Sequence, residues 1–471
     1  MNAPQTAPAS AADLAALRAA TASHLRQLVE WACSPAARAV PAAARAKAAL
    51  VLADDIAAIV AAQDEPEVGR AQAQLAAGTG TGQGVTIFRA GLPRAARIEA
   101  ALANGIAGSW CELDEGYRLA PCHAGLYVLP ALLAEAETCQ LTVGELVDAM
   151  ALSYELTARI ARAWIFPQMR LHPHPQTAAI GGAAAVAMCR RLDAATTFSA
   201  LTAAATLITV GDYSTAVEGA LVRNVWAAVG TSNGMRAADW AQLGIGGMPD
   251  GPWVVYTDLL GQQPDPAALT RNLGVDWAVT NGYHKIHACC QSTHSAVEAT
   301  LVAQAQLPAG TSHADIEDIH LFTHRPTMTN PTPPTSLAGK FSFAHVLAST
   351  LVNGHAGASA FAASTLTDPA VARLRQRVRL ELFTPALPRP HDRPARLTLT
   401  LKDGRQIRTE CLSAQGGPDR PFPPEVIPRK IDALVRPALP RLADVLAQLP
   451  GLPAALLARP WAEVVAEARD A

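Results

Sequence analysis

The chain has 471 residues and a formal net charge of −2, and half of its residues are hydrophobic. A chain of this length can bury a large core in two or three domains. Its near-neutral net charge does not indicate the basic surface that binds nucleic acids and anionic membranes, so neither is an expected partner. Alanine supplies much of the hydrophobic fraction, which favours a largely helical protein because alanine is the best helix former.

The sequence also bears on location. No stretch reaches the roughly 18 consecutive strongly apolar residues that a membrane-spanning helix needs. Residues 1–10 lack the basic and then apolar pattern of a signal peptide. Eight cysteines without regular spacing are typical of reduced thiols. We therefore expect a cytoplasmic protein, and the low charged fraction of 17% predicts that self-association covers part of its surface.

The first 271 residues predict an all-helical domain. Apolar residues recur at helical spacing in successive segments that are separated by short breaks. A glycine-rich run at 78–84 superficially resembles a dinucleotide-binding loop, but the segment before it predicts a helix and not a strand, so we interpret it as a connecting loop. The predicted helices lie at about 12–31, 41–62, 71–77, 93–107, 125–137, 143–165, 178–189, 196–210 and 217–244.

The pattern changes after residue 271. Alternating apolar and polar residues at 316–324 and 396–401 predict strands, and 402–405 predicts a hairpin turn. Helices are expected between these strands, at about 292–305 and 341–363, and again in the tail at 423–471. The sequence thus predicts a mainly α protein with an α+β lid. Its predicted parts are a helical domain at 1–271, an α+β domain at 272–410, and a tail at 411–471 that returns to the helical domain.

Residues 282–294 hold one of the five lysines, two of the eight cysteines and three of the thirteen histidines. We interpret Lys285 as part of a cationic clamp for an anionic substrate, because a carboxylate ligand stabilises the lysine cation. A buried structural cluster is one alternative. A zinc site is another, although adjacent cysteines rarely reach one tetrahedral ion. The zinc ligands would come from His287, Cys289, Cys290 and His294.

A second polar group follows the helix predicted at 93–107. It places Glu112, Asp114 and Glu115 close to Arg118 and His123. Clustered carboxylates raise one another's pKa and so suit acid–base work, especially between apolar helices. The alternative is an ordinary solvated helix end.

A third group, His172-Pro173-His174, stands before a helix whose first backbone N–H groups can bind an anion. Farther along the chain, Arg223 interrupts an alanine-rich region. Its guanidinium can hold a carboxylate through two hydrogen bonds. The alternative is a charged residue on an exposed helix face, which would give the same sequence pattern. We expect the three polar groups and Arg223 to converge on one pocket.

In their order and spacing, these segments resemble the MmgE/PrpD family, which includes 2-methylcitrate dehydratases, cis-aconitate decarboxylases and an iminodisuccinate epimerase. The resemblance implies a helical domain built from the N-terminal part and the C-terminal tail, with a smaller α+β lid inserted between them. It also implies a homodimer that needs no metal or organic cofactor. The matching segments are 112–123, 172–184, 222–234, 285–294 and 339–343.

The resemblance implies roles for single residues as well. His123 and His172 would be the acid–base pair, with Glu112, Asp114 and Lys285 as further catalytic residues. The expected reaction is dehydration of a small di- or tricarboxylate such as a 2-methylcitrate-like acid. Epimerisation, decarboxylation of a cis-aconitate-like acid and metabolite binding without turnover remain alternatives. The predicted substrate-binding residues are Arg223, His287, Cys290 and Arg118.

The sequence departs from the decarboxylases at several of these positions. They carry an aspartate where this chain has Glu112, a lysine where it has Arg223 and a histidine where it has Cys290. A tyrosine expected near Asn330 is not evident. The departures argue against decarboxylation and place dehydration first.

Overall fold

The computed structural model describes residues 10–78, 84–166 and 170–469, so most of the predicted loop at 78–84 lies outside the described residues. Helices dominate it, as the alanine content predicts. Their bounds are α1 Ala11–Ala32, α2 Pro35–Arg38, α3 Ala42–Val60, α4 Pro66–Ala77, α5 Arg97–Trp110, α6 Ala124–Thr138, α7 Val143–Ala163, α8 Pro173–Cys189, α9 Ala194–Ala204, α10 Ser214–Val217, α11 Trp226–Gln242, α12 Ala267–Thr270, α13 His294–Ala305, α14 Ser336–Lys340, α15 Phe343–Asn353, α16 Pro369–Arg375, α17 Val426–Val435, α18 Pro440–Gln448, α19 Ala454–Leu457 and α20 Trp461–Arg469.

The strands form three small sheets. Two short antiparallel pairs join β1 to β4 and β2 to β3, and the larger sheet has the order β6-β5-β7-β8. Within it β5 and β6 are parallel, while β7 is antiparallel to both β5 and β8. The strand bounds are β1 Gly116–Tyr117, β2 Trp164–Ile165, β3 Gln263–Pro264, β4 Gly282–Tyr283, β5 Ile316–Thr323, β6 Val378–Leu382, β7 Ala395–Leu401 and β8 Gln406–Cys411.

Small residues bring α8 and α11 into backbone contact at the centre of the helical part. A Cβ added to Gly182 would lie 2.1 Å from the Thr231 carbonyl oxygen, and one added to Gly234 would lie 2.0 Å from the Ala179 carbonyl oxygen. Only glycine fits where two backbones approach this closely. The glycines therefore fix the spacing of two helices whose N-terminal ends border the candidate site.

The buried hydrophobic residues form two clusters. The larger contains residues of the N-terminal helices together with the tail, from Leu25 to Ala468. The smaller packs the β5–β8 sheet against α13 and α15. The tail contacts the N-terminal helices directly, because Lys430 Nζ lies 2.6 Å from Asp54 Oδ1 and the Trp461 ring lies 6.4 Å from the Phe88 ring.

The predicted mainly α fold with a small β part is confirmed, and the hairpin of β7 and β8 lies where the alternation placed it. Two details differ. The helix predicted at 217–244 begins only at Trp226, after a 3₁₀ turn at Leu221–Val225, and β6 was not predicted. The domain bounds at 271 and 410 stay a prediction. Among the described residues, no helix is long and apolar enough to cross a membrane.

Candidate active site

Several element ends meet beside the short β1–β4 pair. His123 immediately precedes α6, His172 is the N-cap of α8, and Arg223 lies in the 3₁₀ turn that leads into α11. Lys285 lies two residues after the end of β4. Strand β4 pairs with β1, and β1 begins two residues after Asp114. Helix N-termini carry partial positive charge from their free N–H groups, so this convergence favours an anion.

Glu112 lies at the centre of the site, and its own backbone conformation is unusual. Its φ of 54° lies in the left-handed region, where a residue with a Cβ is strained. Its carboxylate is buried, with Oε1 2.5 Å from Arg223 Nη1 and Oε2 3.5 Å from Lys285 Nζ. A strained and buried carboxylate between two cations is typical of a functional site.

Asp114 and His123 form a carboxylate–imidazole dyad. His123 Nδ1 lies 2.7 Å from Asp114 Oδ2 and 2.9 Å from the carbonyl oxygen of Glu115. Both partners are acceptors, so Nδ1 carries the proton, and Nε2 of a neutral ring keeps its lone pair. Nε2 forms no hydrogen bond to any residue that the structure describes, and His123 lines the cavity. The dyad therefore presents a base to the cavity.

Opposite charges keep the inner groups ionised. Burial alone would raise the pKa of Asp114, but Lys285, 3.3 Å away, and His123 outweigh it and lower that pKa. Burial likewise opposes the charge of Lys285, yet Asp114 and Glu112 raise the pKa of its amine. Lys285 is wholly buried and is not part of the cavity lining. It thus acts on the site through the two carboxylates.

His172 faces the arginine and not the dyad. Arg223 Nε donates to His172 Nε2 at 3.2 Å, and a guanidinium can only donate. Burial and then the Arg223 cation lower the pKa of His172 well below its usual value, so the ring is neutral. His174 lies between the two other imidazoles, with ring centroids 5.0 Å from His123 and 4.4 Å from His172. This geometry favours His172 as a group that orients Arg223.

The polar groups open onto a cavity of about 240 Å³. Its cationic lining is Arg223, Arg325, Arg389 and Arg393, and its carboxylates are Glu112 and Asp392. His324 adds little charge, since burial and Arg393 lower the pKa of its ring to about 3. The lining is therefore net positive.

Aromatic rings hold two of the arginines in place. Arg325 Cζ lies 4.3 Å above the Tyr213 ring, and Arg223 Cζ lies 4.9 Å from the Phe341 ring. Such cation–π contacts restrict the guanidinium without neutralising it. Tyr213 also stacks on His172 and lies with its hydroxyl 3.5 Å from Cys290 Sγ, so Cys290 reaches the cavity beside it.

The structure brings most of the predicted site residues together. Glu112, His123, His172, Arg223 and Cys290 line the cavity. Asp114 and Lys285 lie directly behind them.

Two predicted substrate-binding residues do not line the cavity. His287 is buried against His294, with ring centroids 5.1 Å apart, and burial lowers its pKa to about 4. Arg118 is bound to the Asp392 carboxylate and the Pro390 carbonyl oxygen. It can therefore hold the loop that carries Arg389 and Arg393, but it does not face a ligand in this cavity.

Arg325, Arg389, Arg393, Tyr213 and His324 were missed. They lie in loops and turns, and none of them belongs to the three polar groups that stand out in the sequence. The zinc alternative finds no support in geometry. Within 10–78, 84–166 and 170–469, no three His, Cys, Asp or Glu side chains are arranged to hold a metal ion.

Family models cover most of the chain. The MmgE/PrpD N-terminal domain matches residues 26–259, and the MmgE/PrpD C-terminal domain matches residues 287–448. The chain belongs to the MmgE/PrpD family. Glu112, His123, His172 and Arg223 fall in the N-terminal match, and Cys290 and Arg325 fall in the C-terminal match. The cavity is therefore lined from both parts of the MmgE/PrpD chain.

The curated relatives are distant. Cis-aconitate decarboxylase-like protein oryM of Aspergillus oryzae is 25% identical over 364 residues, which cover 70% of this chain and 74% of that protein. Cis-aconitate decarboxylase of Aspergillus terreus is 25% identical over 370 residues, which cover 72% of this chain and 74% of that protein. These likenesses agree with the MmgE/PrpD assignment and leave the substrate of this chain open.

Proposed function

We propose that this protein is a cofactor-independent lyase that dehydrates a small di- or tricarboxylate, such as a 2-methylcitrate-like acid. The observation that carries the proposal is the His123–Asp114 dyad, whose free Nε2 borders a cavity lined by four arginines. A fixed base beside fixed cations is what removal of a proton next to a carboxylate requires.

The charge of the cavity supports a polyanionic substrate. Four guanidiniums face two carboxylates, and Arg118 already engages one of these, Asp392. A substrate with two or three carboxylates balances the excess, and arginine holds each carboxylate in a defined orientation. The volume of about 240 Å³ lies below the range of pockets for drug-sized ligands, which agrees with a small acid.

In the proposed reaction, His123 Nε2 takes the proton from the carbon next to a substrate carboxylate. The electron pair left on that carbon spreads onto the carboxylate as an enediolate, which Arg223 and the other arginines stabilise. The pair then forms the double bond as the hydroxyl on the neighbouring carbon leaves. The leaving hydroxyl takes the proton back from the His123 imidazolium and departs as water. Asp114 stabilises the imidazolium in between.

A second candidate is decarboxylation of a cis-aconitate-like acid, favoured by the names of the relatives. Here the bond to one carboxylate breaks, CO₂ leaves, and the carbanion takes a proton from His123. That reaction starts from the protonated ring, whereas dehydration starts from the neutral one. Glu112, Arg223 and Cys290 stand where the resemblance places other residues in decarboxylases, so dehydration is proposed first.

Incubation in deuterated water with 2-methylcitrate, cis-aconitate or iminodisuccinate tests the proposal. We expect loss of water from 2-methylcitrate, with deuterium exchange at the carbon next to a carboxylate. Both should disappear in His123→Ala. Release of CO₂ from cis-aconitate would select the second candidate. Measurable binding of these acids without exchange or product would overturn both in favour of a binding protein.

Two further variants separate chemistry from folding. His355→Ala replaces an exposed histidine of the lid and should keep wild-type turnover. His172→Ala should lower turnover more than stability, because Arg223 loses the group that orients it. If His172→Ala instead unfolds at the assay temperature, His172 is structural and its proposed role fails.

A further inference from the structure

Residues 383–394, the strap, connect β6 to β7 and cross the end of β5. Strand β5 lies between β6 and β7 in the sheet, and its last residue, Thr323, is paired with both Leu382 and Ala395. The chain therefore leaves β6 and enters β7 at the end of the sheet where β5 stops. The residues that follow β5 and those of the strap meet there, at the active-site cavity.

Three contacts fasten the strap to the loop between β1 and α6. Arg118 binds the Asp392 carboxylate through both terminal nitrogens, and its Nη2 also donates to the Pro390 carbonyl oxygen at 2.7 Å. From the strap, Arg389 Nη1 donates to the Leu119 carbonyl oxygen at 2.5 Å. A planar guanidinium that holds a carboxylate and a carbonyl at once fixes their orientation. The strap is thus held over the cavity in a defined position.

The strap region carries more positive charge than its one carboxylate balances. Asp392 is bound by Arg118, whereas Arg389 Nε and Arg393 Nε lie 3.8 and 4.0 Å from Asp392 Oδ2. These two distances are too long for hydrogen bonds. Burial opposes the charge of Asp392, but the bond with Arg118 and the charge of Arg393 outweigh it and lower the pKa of this carboxyl. Three guanidiniums therefore surround one ionised carboxylate.

Two of these guanidiniums are open to a ligand. Arg389 and Arg393 line the cavity, and their side chains are 49% and 22% exposed. Arg393 donates no hydrogen bond to any residue that the structure describes, and none of its side-chain nitrogens is sealed from solvent. Arg389 uses only Nη1, in its bond to Leu119. Two neighbouring guanidiniums with free N–H groups suit a carboxylate.

The strap arginines are separate from the group that surrounds the proposed base. Arg223 is paired with Glu112, and Glu112 contacts Lys285 behind the dyad. Among the described residues, no ion pair or hydrogen bond joins Arg389 or Arg393 to that network. The cavity therefore offers a carboxylate two different places, one beside the base and one under the strap.

We propose that Arg389 and Arg393 form a clamp for a substrate carboxylate other than the one beside the reacting carbon, and that Arg118 is the positioning residue of this clamp. Arg118 acts through Asp392. Without Arg118 the strap loses its anchor, and the freed Asp392 carboxylate can bind Arg389 or Arg393 and compete with the ligand. The clamp rests on the proposed function in that its ligand is a small polycarboxylate, but not on which bond of that acid breaks.

Calorimetry with tricarballylate, a tricarboxylate that has no hydroxyl to lose, measures the clamp without catalysis. We expect Arg389→Met to weaken its Kd about tenfold or more, because one of the two clamp cations is lost. Arg408→Met removes an exposed arginine of β8 outside the cavity and should leave the Kd within twofold. Equal Kd values in Arg389→Met and Arg408→Met would overturn the clamp, as would absence of tricarballylate binding to the wild type.

The positioning role of Arg118 is tested by coupling. Arg118→Met should also weaken the tricarballylate Kd about tenfold, but by less than threefold when Arg389 and Arg393 are both already methionine. An equal loss in both backgrounds would show that Arg118 does not act through the clamp. The variant with both clamp substitutions keeps Arg118 and Asp392, so it tests the clamp even if Arg118→Met fails to fold.

Kinetics separates the clamp from the proposed reaction. On an acid that turns over, Arg389→Met should raise KM about tenfold and leave kcat within about fivefold, because the base and Arg223 are unchanged. Turnover with an unchanged KM would overturn the clamp and keep the lyase. Clamp-dependent binding of tricarballylate without turnover of any tested acid would refute the lyase and support the clamp.

Discussion

At the scale of single residues, Asp114 determines which nitrogen of His123 carries the ring proton. Asp114→Asn keeps the shape of the side chain but allows the amide to donate to Nδ1, which moves the ring proton to Nε2. We expect kcat to fall by about 10²–10⁴, with KM changed only a few-fold, because the substrate is held elsewhere. Steady-state kinetics on whichever acid turns over in the proposed incubations checks this.

The matched control for this change is Asp318→Asn, which removes a carboxylate paired with Arg379 on the surface of β5. Its kcat should equal that of the wild type. A kcat for Asp114→Asn within threefold of wild type, in protein that melts normally, would mean that His123 does not need a fixed tautomer.

The buried pair of Arg223 and Glu112 is also a stability element. Both side chains are almost fully buried, and Arg223 Nη1 lies 2.5 Å from Glu112 Oε1. Removing only the cation in Arg223→Met leaves the carboxylate with Lys285 alone, 3.5 Å away, so we expect a loss of about 3 kcal/mol. Adding Glu112→Gln should restore part of this loss. Urea unfolding of the two single variants and the double variant gives the coupling energy.

We expect a coupling of about 1–3 kcal/mol between these two buried residues. The exposed pair of Arg396 and Glu410, with N–O distance 2.8 Å, is the control and should couple by less than about 1 kcal/mol. Equal couplings for the buried and the exposed pair would contradict the argument from burial.

The residues that could be predicted share one property. Glu112, His123 and His172 are polar interruptions between apolar helices, and such interruptions are visible in one sequence. Arg389 and Arg393 look like surface charges of a proline-rich loop. They reach the cavity only because that loop folds back, with Arg118 bound to Asp392. Local patterns contain no information about that tertiary contact.

At the scale of elements, the glycines between α8 and α11 set the position of the site. Gly182→Ala should destabilise the protein by about 1–3 kcal/mol, because the added Cβ would lie 2.1 Å from the Thr231 carbonyl oxygen and push two backbones apart. This outweighs the gain of up to about 1 kcal/mol in helix propensity. Since α8 begins beside His172, turnover should fall as well. Chemical unfolding and kinetics measure the two effects.

Gly451→Ala is the control, because an added Cβ there has no neighbour within 4 Å among the described residues. Its stability should change by less than about 0.5 kcal/mol. If Gly182→Ala is as stable as the wild type, the helices can move apart without cost and the glycines do not fix their spacing.

The patterns and pairing of the strands and helices explain why some elements were predicted and others were not. Strands β7 and β8 have clean alternation and a turn sequence between them. Strand β6 is short, mostly exposed and joined to β5 in parallel register, so its pairing depends on a distant partner. The late start of α11 follows from the 3₁₀ turn at Leu221–Val225, which holds Arg223 at the cavity. Helical periodicity alone does not reveal such a break.

At the scale of the whole molecule, the composition predicted the helical bulk, and the position of the tail follows from packing. Trp461 is wholly buried in the larger cluster, which includes N-terminal helices. The last helix has an apolar face, which indicates that another part of the protein packs against it. The sequence does not show which part that is. The predicted homodimer is a property of two chains, and light scattering at micromolar concentration measures it directly.

The buried carboxyl groups also make global stability depend on pH. Burial raises the pKa of Glu115 to about 8, although the Gly125 N–H and the Tyr154 hydroxyl partly offset it. The folded protein therefore keeps a proton that the unfolded chain releases above about pH 4.3. Wherever the folded state binds more protons, stability falls as pH rises. For Glu115 this window runs from about pH 4.3 to about 8.

Glu115→Gln imitates the protonated acid and should remove this dependence. Its stability relative to wild type should increase by a few kcal/mol between pH 5 and pH 8.5, as measured by urea unfolding at several pH values. The buried His172 and His174 act in the opposite direction, because their lowered pKa values cost stability as pH falls below about 6.5. Their effect is the same in the wild type and in Glu115→Gln, so it cancels when the two free energies of unfolding are subtracted.

The control is Glu317→Gln, on the exposed face of β5, whose stability should follow the wild-type dependence on pH. A Glu115→Gln curve parallel to that of the wild type would show that Glu115 is ionised in the folded protein.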